Sequence, residues 1–264
     1  VYKRQDRDQV ASALNLPEDL VRVTLAGVGG AFGGREDVSM HVHLCMLALH
    51  TGRPVKMVYD RNESFLGHVH RHPAKIWFRH SADDSGVLVK VEAKVILDGG
   101  AYASTTSAVL ANACCFSVGP YRVPNALIEG WGVRTNNPPC GAMRGFGNVQ
   151  TCFAAEAQMD KLAKALSLDP VEFRLLNALE TGDILITGQE ITGTAPVKEV
   201  LTSLAQYPLP EPTEGDLLDL PGGTGRTTDK SHVKRGVGYA ASIKNLMFSE
   251  GFDDFSEERC IVDD

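Results

Sequence analysis

Five glycines fall within eight residues in the stretch Gly27-Val28-Gly29-Gly30-Ala31-Phe32-Gly33-Gly34-Arg35-Glu36-Asp37. A segment with so few side chains cannot fill a core. It must be a loop whose backbone turns through positive φ or passes very close to another group. An alternating run, Val21-Arg22-Val23-Thr24-Leu25, precedes it, and a long apolar segment from Val38 to Leu49 follows. The expected order is strand, glycine loop, helix, with the helix over about 37 to 50. A helix start presents free N–H groups and a positive dipole end, which suits an anionic ligand. A plain turn with acids matched to the helix dipole is an equally open reading.

Two nucleotide motifs fail on this stretch. The dinucleotide pattern G-x-G-x-x-G beginning at Gly27 needs glycine where Phe32 stands. The phosphate-loop pattern is met by Gly29 and Gly34, but Arg35 and Glu36 replace its lysine and hydroxyl residue. Without a hydroxyl for magnesium, and with a carboxylate facing the phosphates, nucleotide hydrolysis is set aside.

A second loop has the same character. Asn136-Asn137-Pro138-Pro139-Cys140-Gly141-Ala142-Met143-Arg144-Gly145-Phe146-Gly147 runs into a helical pattern over about 150 to 166. Arginine offers planar, permanently charged donors for an oxyanion. Two loops that set phenylalanine between glycines at helix starts could converge on one anionic, aromatic-walled ligand site.

The 264 residues suffice for one large or two modest domains. A net charge of −7 with no Lys/Arg run argues against nucleic acid or an anionic membrane as partner. No apolar run approaches the length of a membrane span. Six cysteines show no C-x-x-C spacing, which excludes a zinc ribbon or ferredoxin-type cluster within this stretch. Cys114 and Cys115 read as buried thiols, and the pattern suits a reducing cytoplasm. His68, His70 and His72 would share one face of a strand; with no acid or cysteine beside them, hydrogen bonding is favoured over a metal site. The chain opens on Val1 and is read as an internal piece of a longer polypeptide.

Further strands are expected at 55–59, 74–79, 87–97 and 126–134, with a turn at 60–63. Helices are expected to end at Leu14 and to cover 107–115, 170–179 and 197–205, the third capped by Asp169 with Pro170 in its first turn. Residues 207–233 have linker composition, and a new strand is expected from Lys234. The fold class is α+β, a mixed sheet with packed helices. The division is 1–206, a linker at 207–233, and the start of a second subdomain at 234–264.

The two loops resemble those of the molybdenum hydroxylases, the xanthine dehydrogenase and aldehyde oxidase family. The resemblance lies in Gly29-Gly30-Ala31-Phe32-Gly33-Gly34-Arg35-Glu36 and Ala142-Met143-Arg144-Gly145-Phe146-Gly147-Asn148-Val149-Gln150. Thr51-Gly52-Arg53-Pro54-Val55-Lys56 and Tyr121-Arg122-Val123-Pro124-Asn125 extend it over nearly the whole chain. It implies two molybdopterin-binding subdomains, the first lacking its start and the second cut short. It implies a molybdenum–molybdopterin cofactor, with the cytosine dinucleotide form possible. It also implies iron–sulfur clusters and FAD on partner domains or subunits, a higher oligomer, and hydroxylation of a purine such as xanthine with water as oxygen source. By the resemblance, Gly30, Phe32, Gly33, Arg144 and Gly145 would bind the cofactor, with Phe32 and Arg144 nearest the metal. Glu36, Phe146 and Asn112 would meet the substrate. Asn112 stands where animal-type purine enzymes place an arginine, which leaves the substrate open. The family's catalytic glutamate would lie beyond Asp264, so no catalytic residue is assigned here and this stretch alone is expected to be inactive. Rival readings are another N-heterocycle or aldehyde hydroxylase, a glycine-loop phosphate binder without redox role, and a structural piece of a larger complex.

Overall fold

The computed structural model describes residues 2–208 and 236–244. Its centre is a three-stranded mixed sheet of β1 (Ala74–Ala82), β2 (Leu88–Gly100) and β3 (Ala126–Arg134), in the order β1-β2-β3. β1 and β2 form the expected antiparallel hairpin, with Phe78 opposite Ala93. β3 runs parallel to β2, with Ile128 beside Ala93. A parallel pair needs a crossover, and α4 (Thr106–Cys115) provides it.

The alternation along β2 decides which face is covered. Val91, Ala93, Val95 and Leu97 are buried, while Lys90 and Lys94 are exposed. The buried face packs with Val109 and Ala113 of α4 and Ala155 of α5 (Asn148–Leu166). Each such Val or Leu side chain stabilises by roughly 1.5–3 kcal/mol relative to exposure. A second cluster joins Leu88, Tyr121, Met159, Ala163 and Phe173. Phe173 lies on α6 (Pro170–Asn177), which Asp169 caps by accepting from the N–H groups of Val171 and Glu172.

A buried ion pair lies inside this half. Arg174 is fully buried; its Nε donates to Glu156 Oε2 at 2.8 Å and its Nη2 to Asp160 Oδ1 at 2.8 Å. The Tyr121 hydroxyl donates to the other Glu156 oxygen at 2.6 Å. Burial, with the Glu156 charge, pushes the Tyr121 phenol well above its ordinary range. Every partner is needed, because a buried charge left alone is costly.

The first seventy residues are built differently. α1 (Tyr2–Leu14) is followed by a 3-10 turn at Glu18–Leu20, α2 (His41–Thr51) and α3 (Arg61–Gly67). α2 buries no residue. The strands expected at 21–25 and 55–59 are irregular backbone. Alternation describes what a strand would show on each face, but a ladder also needs a partner, and no named strand outside β1–β3 occurs among the described residues. The turn expected at 60–63 is instead the start of α3. Asp60 accepts from the Glu63 N–H, and the Glu63 carboxylate accepts from the Asp60 N–H, a capping box. α7 (Val197–Ala205) matches its expected span. Most of the linker at 207–233 lies outside the described residues. The described part of the expected strand from Lys234, 236–244, is irregular rather than a strand. There the Ile243 carbonyl accepts from Asn148 Nδ2 at 2.5 Å.

Candidate cofactor site

In the first loop Gly30, Phe32 and Gly33 take φ of 121°, 52° and 98°. Positive φ is strained for a bulky residue such as phenylalanine, by about 1–3 kcal/mol. Two turns close the loop: the Gly34 N–H donates to the Ala31 carbonyl at 2.8 Å and the Glu36 N–H to Gly33 at 3.2 Å. α2 does not begin until His41, and Met40 precedes it with no side-chain cap. The expectation that this loop opens directly into a helix is therefore corrected, and with it the dipole argument for an anion there. Arg35 turns away and pairs with the buried Asp6 of α1 at 3.1 Å.

The second loop repeats the backbone path more tightly. Gly145, Phe146 and Gly147 have φ of 91°, 48° and 91°, and α5 follows at once from Asn148. The Gly147 backbone runs against the Val109 carbonyl of α4, where a Cβ would collide with it. Asn112 of α4 is buried, and its Nδ2 donates to the Phe146 carbonyl at 2.6 Å. Phe146 is half-buried and packs on the first core cluster. The side chain at 112 thus holds the loop from behind.

The two loops meet. A Cβ on Gly33 would lie 2.5 Å from the Ala142 carbonyl oxygen, so only glycine lets the backbones come this close. The Arg144 N–H donates to the Phe32 carbonyl at 2.9 Å. The Arg144 guanidinium stands 5.6 Å from the centre of the Phe32 ring, within cation–π range. Phe32 is 62% exposed, and Arg144 is exposed beside it. Phe32, Gly33, Ala142 and Arg144 therefore form one junction, while Gly30 lies against the Phe32 ring and Gly145 against Val149. Glu36 is half-buried at the end of the first loop.

The histidine segment joins both loops. The His68 and His70 rings are neighbours with centroids 6.5 Å apart, and His72 is held separately against α4. His68 Nε2 is 3.3 Å from the Gly34 carbonyl of the first loop. His70 pairs with Cys140, and its carbonyl accepts from the Gly141 N–H at 2.9 Å. His72 is buried against Thr106 Oγ1 of α4 at 2.9 Å. Between them, Arg71 donates from Nη2 to the Arg144 carbonyl at 2.6 Å. Asp37 closes the knot by accepting from Ser104 Oγ at 2.7 Å. Sequence reading singled out neither Arg71 nor Asp37 with Ser104. Arg71 sat unremarked between two histidines that drew attention as metal-type residues.

A molybdopterin group suits this donor set. At Gly33 and Gly141 the backbone packs so closely on other protein atoms that a Cβ would collide: at Gly141 it would reach within 2.6 Å of Asp37 Oδ2 and 2.7 Å of Val69 Cγ2, and this packing holds the loops that carry the donors in place. Arg71 Nη1 is buried with no protein partner, a donor suited to an anionic oxygen.

Comparison with known proteins defines the class. The pattern of the molybdopterin cofactor-binding domain matches residues 3–178, and the chain belongs to this family, within the molybdenum hydroxylases. It is 43% identical over 196 residues to the nicotinate dehydrogenase large molybdopterin subunit of Eubacterium barkeri, covering 74% of this chain and 46% of that protein. It is 37% identical over 249 residues to a probable xanthine dehydrogenase subunit of Bacillus subtilis, covering 94% of this chain and 33% of that one. In structure it is similar to the aldehyde oxidoreductase of Desulfovibrio gigas, with a TM-score of 0.70, 29% identity, and coverage of 75% of this chain and 22% of that one. The chain thus spans about half or less of the length of these relatives. The expected α+β class agrees with the mixed sheet and with these neighbours. No helix among the described residues is long and apolar enough to cross a membrane.

Proposed function

We propose that this chain is part of the molybdenum subunit of an oxidoreductase that hydroxylates a planar nitrogen heterocycle, with water as oxygen source. The observation that carries the reading is the joining of the two loops through the Arg144 N–H and the Phe32 carbonyl, with Gly33 against Ala142. Bound molybdenum–molybdopterin supplies the two-electron oxidation and the transfer of water-derived oxygen. The protein's share is to hold and orient. Gly30, Gly33 and Gly145 would give the backbone access to the cofactor, and Phe32 and Arg144 would hold its metal end. Glu36 orients the heterocycle through its ring nitrogens, and Phe146 walls the site near it. Electrons leave to iron–sulfur and FAD partners of the same cytoplasmic complex, a higher oligomer.

Within this reading xanthine or hypoxanthine is the first substrate. Nicotinate is the second, favoured by the 43% identity to a protein named for it. The buried Asn112, already bonded to Phe146, also favours a substrate that needs no side chain from that position. Purified full-length enzyme, analysed for molybdenum and assayed with xanthine, hypoxanthine, nicotinate and an aldehyde, tests both. Absence of molybdenum would sink the whole reading. Molybdenum with nicotinate turnover and no purine turnover would replace the first substrate by the second.

A further inference from the structure

We propose that Arg71 is a positioning residue that clamps the Arg144 backbone so that the two loops keep one relative orientation; this rests on the molybdenum hydroxylase reading above. Arg144 is held on both sides of its Cα. Its N–H is bound to the Phe32 carbonyl of the first loop at 2.9 Å. Its carbonyl accepts from Arg71 Nη2 at 2.6 Å. Fixing both polar groups of one residue fixes its backbone, and so the Cα–Cβ direction from which the Arg144 side chain reaches the Phe32 ring. The neighbouring bond from the Gly141 N–H to the His70 carbonyl, 2.9 Å, sets the segment that carries Arg71 beside the second loop. His68 reaches back to the Gly34 carbonyl, so the same five residues touch both loops.

The type of residue matters. A guanidinium donor to a carbonyl is charge-assisted and stronger than a neutral bond. Its fork is planar and rigid, which a lysine cannot reproduce. Burial pushes the Arg71 pKa down, so the charge is kept there against a desolvation cost. That cost has no evident return in core packing, because Arg71 lies outside both apolar clusters. Losses at residues that orient a metal site's first ring of groups are typically about 10–100-fold, and small misplacements near reacting atoms cost similarly.

The test uses the full-length, cofactor-loaded enzyme with Arg71→Ala, Arg71→Lys and a control, Arg79→Ala. Arg79 lies on β1, with its side chain 63% exposed. The readouts are molybdenum content, kcat and KM separately, the EPR spectrum of the reduced molybdenum centre, and hydrogen exchange over residues 141–150. Arg71→Ala is expected to lower kcat per molybdenum by about 10–100-fold with KM changed by less than about threefold. It should also alter the EPR spectrum and speed exchange at 141–147. Arg71→Lys, which keeps a cationic donor, should recover part of the lost kcat, and the control should match the unsubstituted enzyme. Wild-type kcat, EPR spectrum and exchange in Arg71→Ala would overturn the proposal, as would a lowered melting temperature with all three unchanged. If Arg71→Ala does not accumulate, Arg71→Lys decides: an unaltered spectrum and kcat overturn the clamp, and a shifted spectrum with lowered kcat supports it. Lack of molybdenum in the unsubstituted enzyme would defeat the functional reading instead, while the exchange measurement would still judge the clamp.

Discussion

The loop around Phe32 and the loop around Phe146 share a backbone path and differ in what supports it. Both place phenylalanine at φ near 50° with a glycine of φ above 90° directly after it. The second is pressed onto α4 by Gly147, bonded from behind by Asn112, and continues directly into α5, which packs on the sheet. The first hangs between irregular backbone and an α2 that buries nothing. Its ties run to α1 and to neighbouring loops rather than into the apolar clusters: Arg35 to Asp6, Asp37 to Ser104, Gly34 to His68, and Phe32 and Gly33 to the second loop. Similar local chemistry thus serves two ends. One loop is part of the core, and the other takes its position from its partner.

If that contrast is right, the same glycine substitution should do different things in the two loops. Gly147→Ala puts a Cβ into the Val109 carbonyl at a φ of +91°. Backbone strain and overpacking together predict a loss of about 4 kcal/mol. Thermal unfolding should show a midpoint lower by roughly 10 °C, taking about 2–4 °C per kcal/mol for a chain of this size. Gly33→Ala meets a carbonyl just as close, at 2.5 Å, but the loop that carries it can move away. The backbone strain at its φ of +98° remains, so it should lose about 1–3 kcal/mol of stability, less than Gly147→Ala, while turnover per molybdenum in the full-length enzyme falls on the order of 100-fold, about 3 kcal/mol. Equal melting losses in the two variants would break the comparison.

How much of this could be read from the sequence follows the same division. The β1–β2 hairpin, α4, α5, α6 and α7 are legible because each has residues buried within the described core, whereas β3, which buries no residue, is legible from its run of strand-forming residues alone. The runs at 21–25 and 55–59 have strand periodicity but no partner here, and pairing is not written into either run alone. Asp60 to Glu63 has the composition of a turn, although the spacing of the two acids is that of a capping box. The convergence of the two loops is legible from the phenylalanine that each sets among glycines, Gly30-Ala31-Phe32-Gly33 and Gly145-Phe146-Gly147. The role of Arg71 is not, because nothing marks an arginine as the partner of a carbonyl 73 residues away. The positive φ of the two phenylalanines also has no sequence signal, since that conformation ordinarily calls for glycine.

Acid should weaken the anchored half by a route the first loop lacks. His80 of β1 is buried with neither ring nitrogen bonded, and burial pushes its pKa down from 6.5 to about 4. Above pH 6.5 the ring is neutral folded or unfolded and costs no proton. As pH falls from 6.5 towards 4 the unfolded chain takes up a proton that the folded chain refuses, so stability is lost across that window. The expected loss is roughly 2–3 kcal/mol from a shift of this size. Urea unfolding at pH 7.5 and 4.5 measures it. His80→Leu should remove most of the difference, leaving the smaller contribution of His72, whose pKa burial also lowers. An unchanged pH dependence in that variant would show that His80 is not its source.

The finest separation comes from removing the strained side chains themselves. Phe146→Gly relieves a φ of 48° but strips a ring that packs on the core, so the net effect should be destabilising. Phe32→Gly relieves a φ of 52° and gives up a ring that is 62% exposed. Its melting temperature should hold or rise slightly, by no more than about 1 kcal/mol of relieved strain set against added chain entropy. Its molybdenum-normalised turnover should nevertheless fall, because Phe32 supplies the ring facing the Arg144 guanidinium. Strain kept at an exposed aromatic that contributes nothing to folding needs a reason outside folding. A clear drop in stability for Phe32→Gly would mean that the first loop carries structural weight after all, and that the two loops are alike in more than their backbone path.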